Sequence, residues 1–287
     1  MIPLQWISVT TENFPHYHRF LSEQEPHSLN ILASLPLRNG KRVLPPPYTV
    51  RNFFLRTGSR IVGAASLTAN GILYCHTLLP LKREDIKPLW DAAGECPRGL
   101  FQIAASYPAS EMFKETLPKP ASVTDFYVMH RPVVSYPFTQ IEPGIYRATE
   151  EDIGRLLPVH YRYYEEEVYL YNNTPPAKII ENNLKLLIRN YRVYFLSDDK
   201  GKILSKLNTT LTGERYVQLG GVYTEREFRR KGYAKKLLNW FLINELPKIG
   251  KSVSLFVKKK NEKALQLYRR CSFEEIGEKT LFYFDLD

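Results

Sequence analysis

A chain of 287 residues with 40 Lys and Arg against 30 Asp and Glu carries a net charge near +10, and 44% of its positions are hydrophobic. That balance excludes a disordered chain, a collagen-like repeat and a disulfide scaffold, and the length favours two domains over one. Cys75, Cys96 and Cys271 are an odd number at unrelated spacings, as expected of reduced thiols in a cytoplasmic protein.

Met1-Ile2-Pro3-Leu4 has neither the basic nor the apolar region of a signal peptide. His16 and His18, two apart, would diverge on a helix, and no other histidine pair has ligand spacing, so no metal site is expected. Residues 4–10 read as a strand and 11–34 as helix broken near Pro26. The uncharged stretch 61–81 is long enough to span a bilayer, yet Ser66, Thr68, Asn70, His76 and Thr77 are scattered through it. Asn70-Gly71 is a two-residue hairpin signal, so the stretch reads as two strands and no membrane segment is expected. Strands at 50–57, 60–68 and 71–78 precede a helix at 82–94, a strand at 99–106, a short helix at 109–117 and a strand at 122–130. Pro132, Pro137, Pro143 and Gly144 punctuate an aperiodic stretch, which places a linker at 133–144 between a domain of residues 1–132 and one of residues 145–287.

The second half repeats the order of elements. A strand at 144–149 leads to helix from 150, interrupted or restarted at Pro158 and continuing to about 171, and to a helix at 177–189. Strands at 191–197, 202–211 and 215–224 follow, then a helix at 230–246, a strand at 251–257, a helix at 262–270 and a final strand or hairpin.

The most informative stretch joins the third of those strands to the next helix through Arg229-Arg230-Lys231-Gly232-Tyr233-Ala234. Ala234, Leu237, Leu238, Phe241 and Leu242 form one apolar stripe, so a helix starting near Lys231 buries that face and points its free N–H groups into the loop. Gly232 removes a Cβ where a backbone approaches a ligand, and three basic residues supply counter-charge, a design that suits phosphate oxygens. Neither dinucleotide-binding glycine signature is present, which points to a different phosphate ligand. Gly220-Gly221 inside the strand reads either as a plain bulge or as the place where a neighbouring strand splays away. Asn261 is a natural N-cap for the helix through Arg270, and it shares a face with Ala264 or Leu265 and with Tyr268.

Taken together, Val222-Tyr223-Thr224, the 229–234 loop with its Leu-rich helix, and Leu255-Phe256-Val257 with Asn261, Ala264, Tyr268 and Phe273 resemble the acyl-CoA-binding core of the GNAT superfamily of N-acetyltransferases. The fingerprint of that family is Arg or Gln, two residues, Gly, one residue, then Gly or Ala, and here Arg229, Gly232 and Ala234 hold the fixed positions. The resemblance implies an α/β (α+β) fold of two GNAT-like domains, each a mixed, mostly antiparallel sheet flanked by helices, the second with splayed central strands. It implies acetyl-CoA as cofactor, held by Gly221, Val222, Tyr223, Thr224, Arg229, Arg230, Lys231, Gly232, Tyr233, Ala234, Asn261 and Tyr268. Acetyl would pass to a primary amine of a small molecule or a protein by direct attack in a ternary complex. The Val222 N–H would stabilise the oxyanion, and Tyr268 would protonate the leaving thiolate. One departure is Ser272, where the family has Gly before the Phe.

Some family members take a base from the central strand, but Gln218 stands there and cannot ionise usefully. A helical stripe through His160, Tyr164, Glu167, Val168 and Tyr171 turns Glu167 inward and Glu165 and Glu166 outward, making Glu167 the candidate base; a solvated acidic face with deprotonation through ordered waters is the other reading. Tyr161, Tyr163, Tyr164 and Tyr169 either line an acceptor pocket or pack, and Lys258-Lys259-Lys260 either meets the 3′-phosphate of CoA or stays solvated.

In the first half the segment His76-Thr77-Leu78-Leu79-Pro80-Leu81-Lys82 stands where the cofactor loop would be, so that half is expected to be a degenerate copy that binds no CoA and walls the acceptor site. The second half alone, if it folds, is expected to keep CoA binding. Two other functions fit the same resemblance: a non-enzymatic acyl-CoA sensor, and a tandem GNAT transferase that takes an aminoacyl group from charged tRNA. The positive charge permits nucleic acid, though no recognition motif supports it.

Overall fold

The first run of elements is β1 (Leu4–Ser8), α1 (Phe14–Glu23), α2 (Glu25–Ser34), a small hairpin of β2 (Leu37–Arg38) and β3 (Lys41–Arg42), β4 (Val50–Thr57), β5 (Arg60–Thr68), β6 (Ile72–Thr77), α3 (Arg83–Gly94), β7 (Gln102–Ser106), α4 (Ala109–Thr116) and β8 (Ser122–Arg131). The second is β9 (Ile145–Arg147), α5 (Ile153–Tyr163), α6 (Ala177–Asn190), β10 (Val193–Ser197), β11 (Ile203–Thr212), β12 (Tyr216–Thr224), α7 (Tyr233–Trp240), α8 (Leu246–Ile249), β13 (Ser252–Lys258), α9 (Glu262–Arg270) and β14 (Glu274–Tyr283). This computed structural model describes residues 3–46, 48–96, 99–117, 120–135, 142–168 and 176–284. Every strand and helix expected from the periodicity has a counterpart in it, and the uncharged stretch is the β5–β6 hairpin, turned at Gly71 with φ +77°. Among the described residues no helix is long and apolar enough to cross a membrane.

Twelve strands form one sheet in the order β1-β4-β5-β6-β7-β14-β8-β13-β12-β11-β10-β9. Neighbours are antiparallel except β6 with β7 and β12 with β13. The last strands of the two halves are exchanged across the centre. β14 runs between β7 (Lys279 opposite Ser106) and β8 (Glu278 opposite Tyr127), while β8 continues the second half's sheet by pairing with β13 (Met129 opposite Leu255).

Alternation along the strands sends side chains to two layers. Leu207, Val217, Leu219, Val253 and Leu255 pack with Leu237 and Leu238 of α7 and Leu265 of α9, whereas Val193, Phe195, Ile203 and Tyr223 pack with Leu156 and Val159 of α5 and Leu184 of α6. Cores of the same kind join α3 and α4, and α1 and α2, to the first half's strands. α2 also reaches the second half, where the buried Glu25 carboxylate accepts from the N–H groups of Arg215 and Tyr216 at 2.9 to 3.0 Å.

The break near Pro26 falls at Gln24, and Pro26 lies in the first turn of α2, where its fixed φ fits and no N–H is lost. Two local expectations are corrected. The helix after the basic loop begins at Tyr233 rather than Lys231, because Gly232 takes a left-handed φ of +82° as its N-cap. The chain also widens into single π turns at Tyr164–Val168 and Phe241–Glu245, which the 3.6-residue period could not reveal. The expected continuation through Tyr169 and Tyr171 lies outside the described residues.

Candidate active site

β12 and β13 are paired only from Tyr216 with Ser252 to Leu219 with Leu255 among the described residues. Beyond that point β12 stays with β11 through Thr224 and β13 stays with β8 through Lys258, so the two parallel strands diverge. The divergence starts at Gly220-Gly221, and both readings of that pair apply. Asn208 faces Gly220 and Lys206 faces Tyr223, which leaves Gly221-Val222 as a bulge opposite Leu207. Gly221 has φ +58°, and a Cβ there would stand 1.9 Å from Asn208 Oδ1 and 2.9 Å from Lys206 Nζ, so only glycine fits.

At the far end of β12 the chain turns through Arg226–Phe228 into the basic loop. Arg229 braces that loop, with Nε donating to the Thr224 carbonyl at 2.9 Å and Nη2 to Glu166 at 2.6 Å. Arg230 takes a positive φ of 64°, and neither Arg230 nor Lys231 makes an ion pair among the described residues. No side chain caps α7 and no acidic residue lies in its first turn, which leaves the N–H groups of Tyr233, Ala234 and Lys235 open. Space around Gly232 is clear, with nothing within 4 Å of an added Cβ. The arrangement fits an anionic phosphate on charge, donors and room.

The π turn rotates the acidic run by one residue, so the expected orientation of Glu166 is corrected. Its carboxylate faces inward, accepting from the Tyr223 phenol at 2.7 Å and from Arg226 and Arg229. Burial raises its pKa, but those three donors outweigh it and the net shift is downward, so Glu166 is an anionic brace for the loop. Glu167 is half-buried, and its carboxylate lies 3.1 Å from Lys258 Nζ. Tyr268, on α9, is buried against Phe273 with ring centroids 5.6 Å apart. Burial, then the nearby Tyr163 and Glu167, push the Tyr268 phenol well above its usual range, so it keeps its proton. Tyr268, Tyr163 and Glu167 thus share one neighbourhood.

Other expected cofactor residues are placed differently. Tyr223 points into the α5 core, so its backbone alone faces the divergence. Asn261 Oδ1 accepts the Ala264 N–H at 3.1 Å and caps α9, the place its sequence position gave it. Lys258 and Lys259 pair with Glu167 and Glu278. Ser272 adopts φ +60°, the left-handed cap that the family builds with glycine.

Two residues escape a reading by motif. Tyr163 lies over the bulge, its ring set edge-on to Tyr223 with centroids 6.1 Å apart. Lys206 lies fully buried beneath it, with Nζ 4.4 Å from the Tyr163 ring centroid and 3.1 Å from the Gly221 carbonyl. The available signal was a lone charge inside the apolar run Ile203-Leu204-Ser205-Lys206-Leu207 of a central strand.

The first half has the same divergence without the loop. β6 and β7 pair as far as Cys75 with Ala105, and the next residues close the gap, with His76 Nδ1 2.7 Å from Ser106 Oγ. α3 begins with Glu84 and Asp85, and Asp85 accepts the Lys82 N–H at 2.7 Å. A helix start already capped by its own carboxylate repels a phosphate.

Comparison with known proteins agrees with this geometry. Residues 156–273 match the family model described as the acetyltransferase (GNAT) family. No curated protein matches the chain. Among solved structures, the chain is similar to a GCN5-related N-acetyltransferase from Sphaerobacter thermophilus, with a TM-score of 0.57, 15% identity, and 98% of this chain and 96% of that one covered. It is also similar to a GNAT-family acetyltransferase from Colwellia psychrerythraea, with a TM-score of 0.53, 14% identity, and 98% and 100% covered. A tandem GNAT protein from the clavulanic acid biosynthesis pathway aligns with a TM-score of 0.50, 16% identity and 98% of both chains covered. These identities speak to the fold alone, while the family model, the diverging strands and the bare basic helix start coincide in one segment. Residues 156–273 are a domain of the GNAT acetyltransferase family.

Proposed function

We propose that the protein is an N-acetyltransferase that takes acetyl from acetyl-CoA and passes it to a primary amine. Family membership supports acyl transfer in general. The observation that carries the finer reading is the uncapped, carboxylate-free start of α7 after Gly232, set at the end of a β12 strand whose inner edge is released from β13. In this reading Arg230, Lys231 and the N–H groups of Tyr233 and Ala234 hold the pyrophosphate, Gly221 to Thr224 offer backbone to the pantetheine arm, and the Val222 N–H faces the carbonyl oxygen. Tyr268 supplies the proton for the thiolate. Residues 1–132 form the degenerate unit, whose α2 walls the acceptor side, and residues 145–287 form the unit that binds cofactor.

The direct test is native mass spectrometry of the purified protein followed by calorimetry with acetyl-CoA, then an amine panel read by thiol release. Absence of binding to acetyl-CoA or CoA would remove this reading. Binding without turnover on any amine would favour an acyl-CoA sensor.

Gly232→Val is expected to weaken CoA binding by more than tenfold. A β-branched residue is strained at φ +82°, and its methyl groups would stand where the open N–H groups converge. Unchanged affinity by calorimetry would place the phosphates elsewhere. For Tyr268→Phe the expectation is a chemical step slowed by roughly 100-fold with CoA affinity within a few-fold, since the ring's packing against Phe273 survives and only the proton is lost. Equal single-turnover rates for the two proteins would make Tyr268 a packed aromatic.

A further inference from the structure

We infer that Lys206 takes the proton that the acceptor amine must lose before it attacks, an assignment that rests on the acyl-transfer reading above. The expected base is compromised: Gln218 cannot ionise, and the Glu167 carboxylate is held by Lys258, whose Nζ also donates to the Glu167 carbonyl at 2.7 Å. Lys206 stands at the strand divergence itself. Its Nζ donates to the Gly221 carbonyl at 3.1 Å and lies 3.5 Å from Asn208 Oδ1. It has no carboxylate partner among the described residues.

The titratable groups nearest to it are His160, Tyr163 and Tyr223, while the carboxylates of Glu166 and Glu167 lie beyond them, on Tyr223 and Lys258. From α5, His160 is held unprotonated, with burial and then the Lys206 charge lowering its pKa to about 3 against its bond to Asn183. Tyr163, also from α5, keeps its proton, since burial and the Glu167 charge raise it to about 12 despite the Gly221 N–H. Tyr223, facing from β12, is pushed up by burial and by Glu166. An ammonium at Lys206 therefore has no counter-charge beside it, and burial lowers its pKa to about 7. A free amine at that position is a competent base at neutral pH. The Tyr163 ring lies over Nζ, 4.4 Å from its centroid, so the proposal requires that ring to swing aside for the acceptor amine to reach Nζ.

The protons balance as follows. An acceptor ammonium gives one proton to the Lys206 amine, leaving a neutral acceptor amine and a Lys206 ammonium. The amine lone pair forms the C–N bond to the acyl carbon, and the C–S bond breaks with its electron pair on sulfur. The thiolate takes the Tyr268 proton, the phenolate regains one from the new amide nitrogen, and Lys206 releases its proton to water.

Two measurements test this on the full chain. In lysine side-chain NMR, the resonance lost in K206M should titrate with a midpoint near 7, and K279M separates it from the other deeply buried lysine. If K206M does not fold, K279M assigns the pair by elimination. A midpoint above about 9 would overturn the proposal. In single-turnover assays with acetyl-CoA and an accepted amine, propylamine being the first probe, K206M should be about 100-fold slower at pH 7 with acetyl-CoA affinity within threefold. Its rate should climb with pH, whereas the wild type levels off above pH 7. Equal rates at pH 7 would overturn Lys206 alone, whereas a wild type that binds acetyl-CoA and acetylates no amine would overturn the transferase reading, and Lys206 with it.

Discussion

A chain that begins at residue 142 is expected not to fold into a soluble, cofactor-binding domain, although it contains the whole region matched by the GNAT family model. The loss follows from the exchanged strands. Without residues 122–131, β13 has no partner on one side from Val253 to Lys258, and β14 has none along Glu274 to Tyr283. β14 also loses β7, its other neighbour. Met129, fully buried among Leu237, Leu255 and Phe273, would leave a hole in the core beneath the active site. Phe282, which packs on Phe113 at 6.3 Å, would pass from core to solvent. Unpaired edges of this length are templates for aggregation. The measurement is size exclusion and far-UV circular dichroism of residues 142–287 beside residues 120–287, which retain β8. The longer chain should recover part of the structure, since it restores β13-β8-β14 and leaves only the β7 edge open. A monomeric 142–287 fragment that melts cooperatively and binds CoA would show that the exchange matters little.

The same exchange marks the limit of what could be read from the sequence. Strands and helices were legible because their apolar periods are strong, and the paired order of elements made the two halves visible. Strand partners were not. An isolated alternating run such as 274–283 carries no label saying that its neighbours are β7 and β8, and a half-by-half reading leaves it in its own half. At the site, the loop was legible from Gly232 and the basic triplet because helix starts have local rules. In the acidic run one residue was misread: Glu166, expected to lean outward, also faces inward through a π turn that breaks the 3.6 period, while Glu167 stays half-buried beside Lys258. Lys206 carried a signal of a different kind, a polar residue contradicting its surroundings. Its meaning depends on Tyr163 and Gly221, which are far from it in sequence and adjacent only in the fold.

Thermal stability is expected to rise from pH 7 to a maximum near about pH 9, on the alkaline side of neutral. Lys206 and Lys279 are both buried, and burial lowers each to about 7. Lys279 Nζ rests 2.8 Å from Asn30 Oδ1 and 4.5 Å from the Phe256 ring centroid, joining β14 to α2. The groups facing it, His27 from α2 and His76 from β6, are themselves shifted down by burial and by the Lys279 charge. In the unfolded chain a lysine titrates near 10.4. Between pH 7 and about 8.5 the unfolded state therefore binds more protons, and stability increases with pH by on the order of 1 kcal/mol per unit for each lysine, until the Cys75 and Cys271 thiols, both raised by burial, ionise first in the unfolded chain and oppose that gain. Above about pH 9 the sign reverses. Tyr17, Tyr194, Tyr223 and Tyr268 are raised by burial, so the unfolded phenols ionise first and folding loses ground. On the acid side, His76 and His160 sit near 3 in the folded protein, so stability falls as pH drops below about 6.5. Calorimetric melts from pH 6 to 10.5 would trace this profile, and K279M should raise the melting temperature at pH 7 while reducing the slope up to about pH 8.5 by about half. A melting temperature that is flat or falls between pH 7 and 9 would mean that both lysines stay charged in the folded state, with water or anions reaching them through the cover that Tyr163 and Phe256 provide.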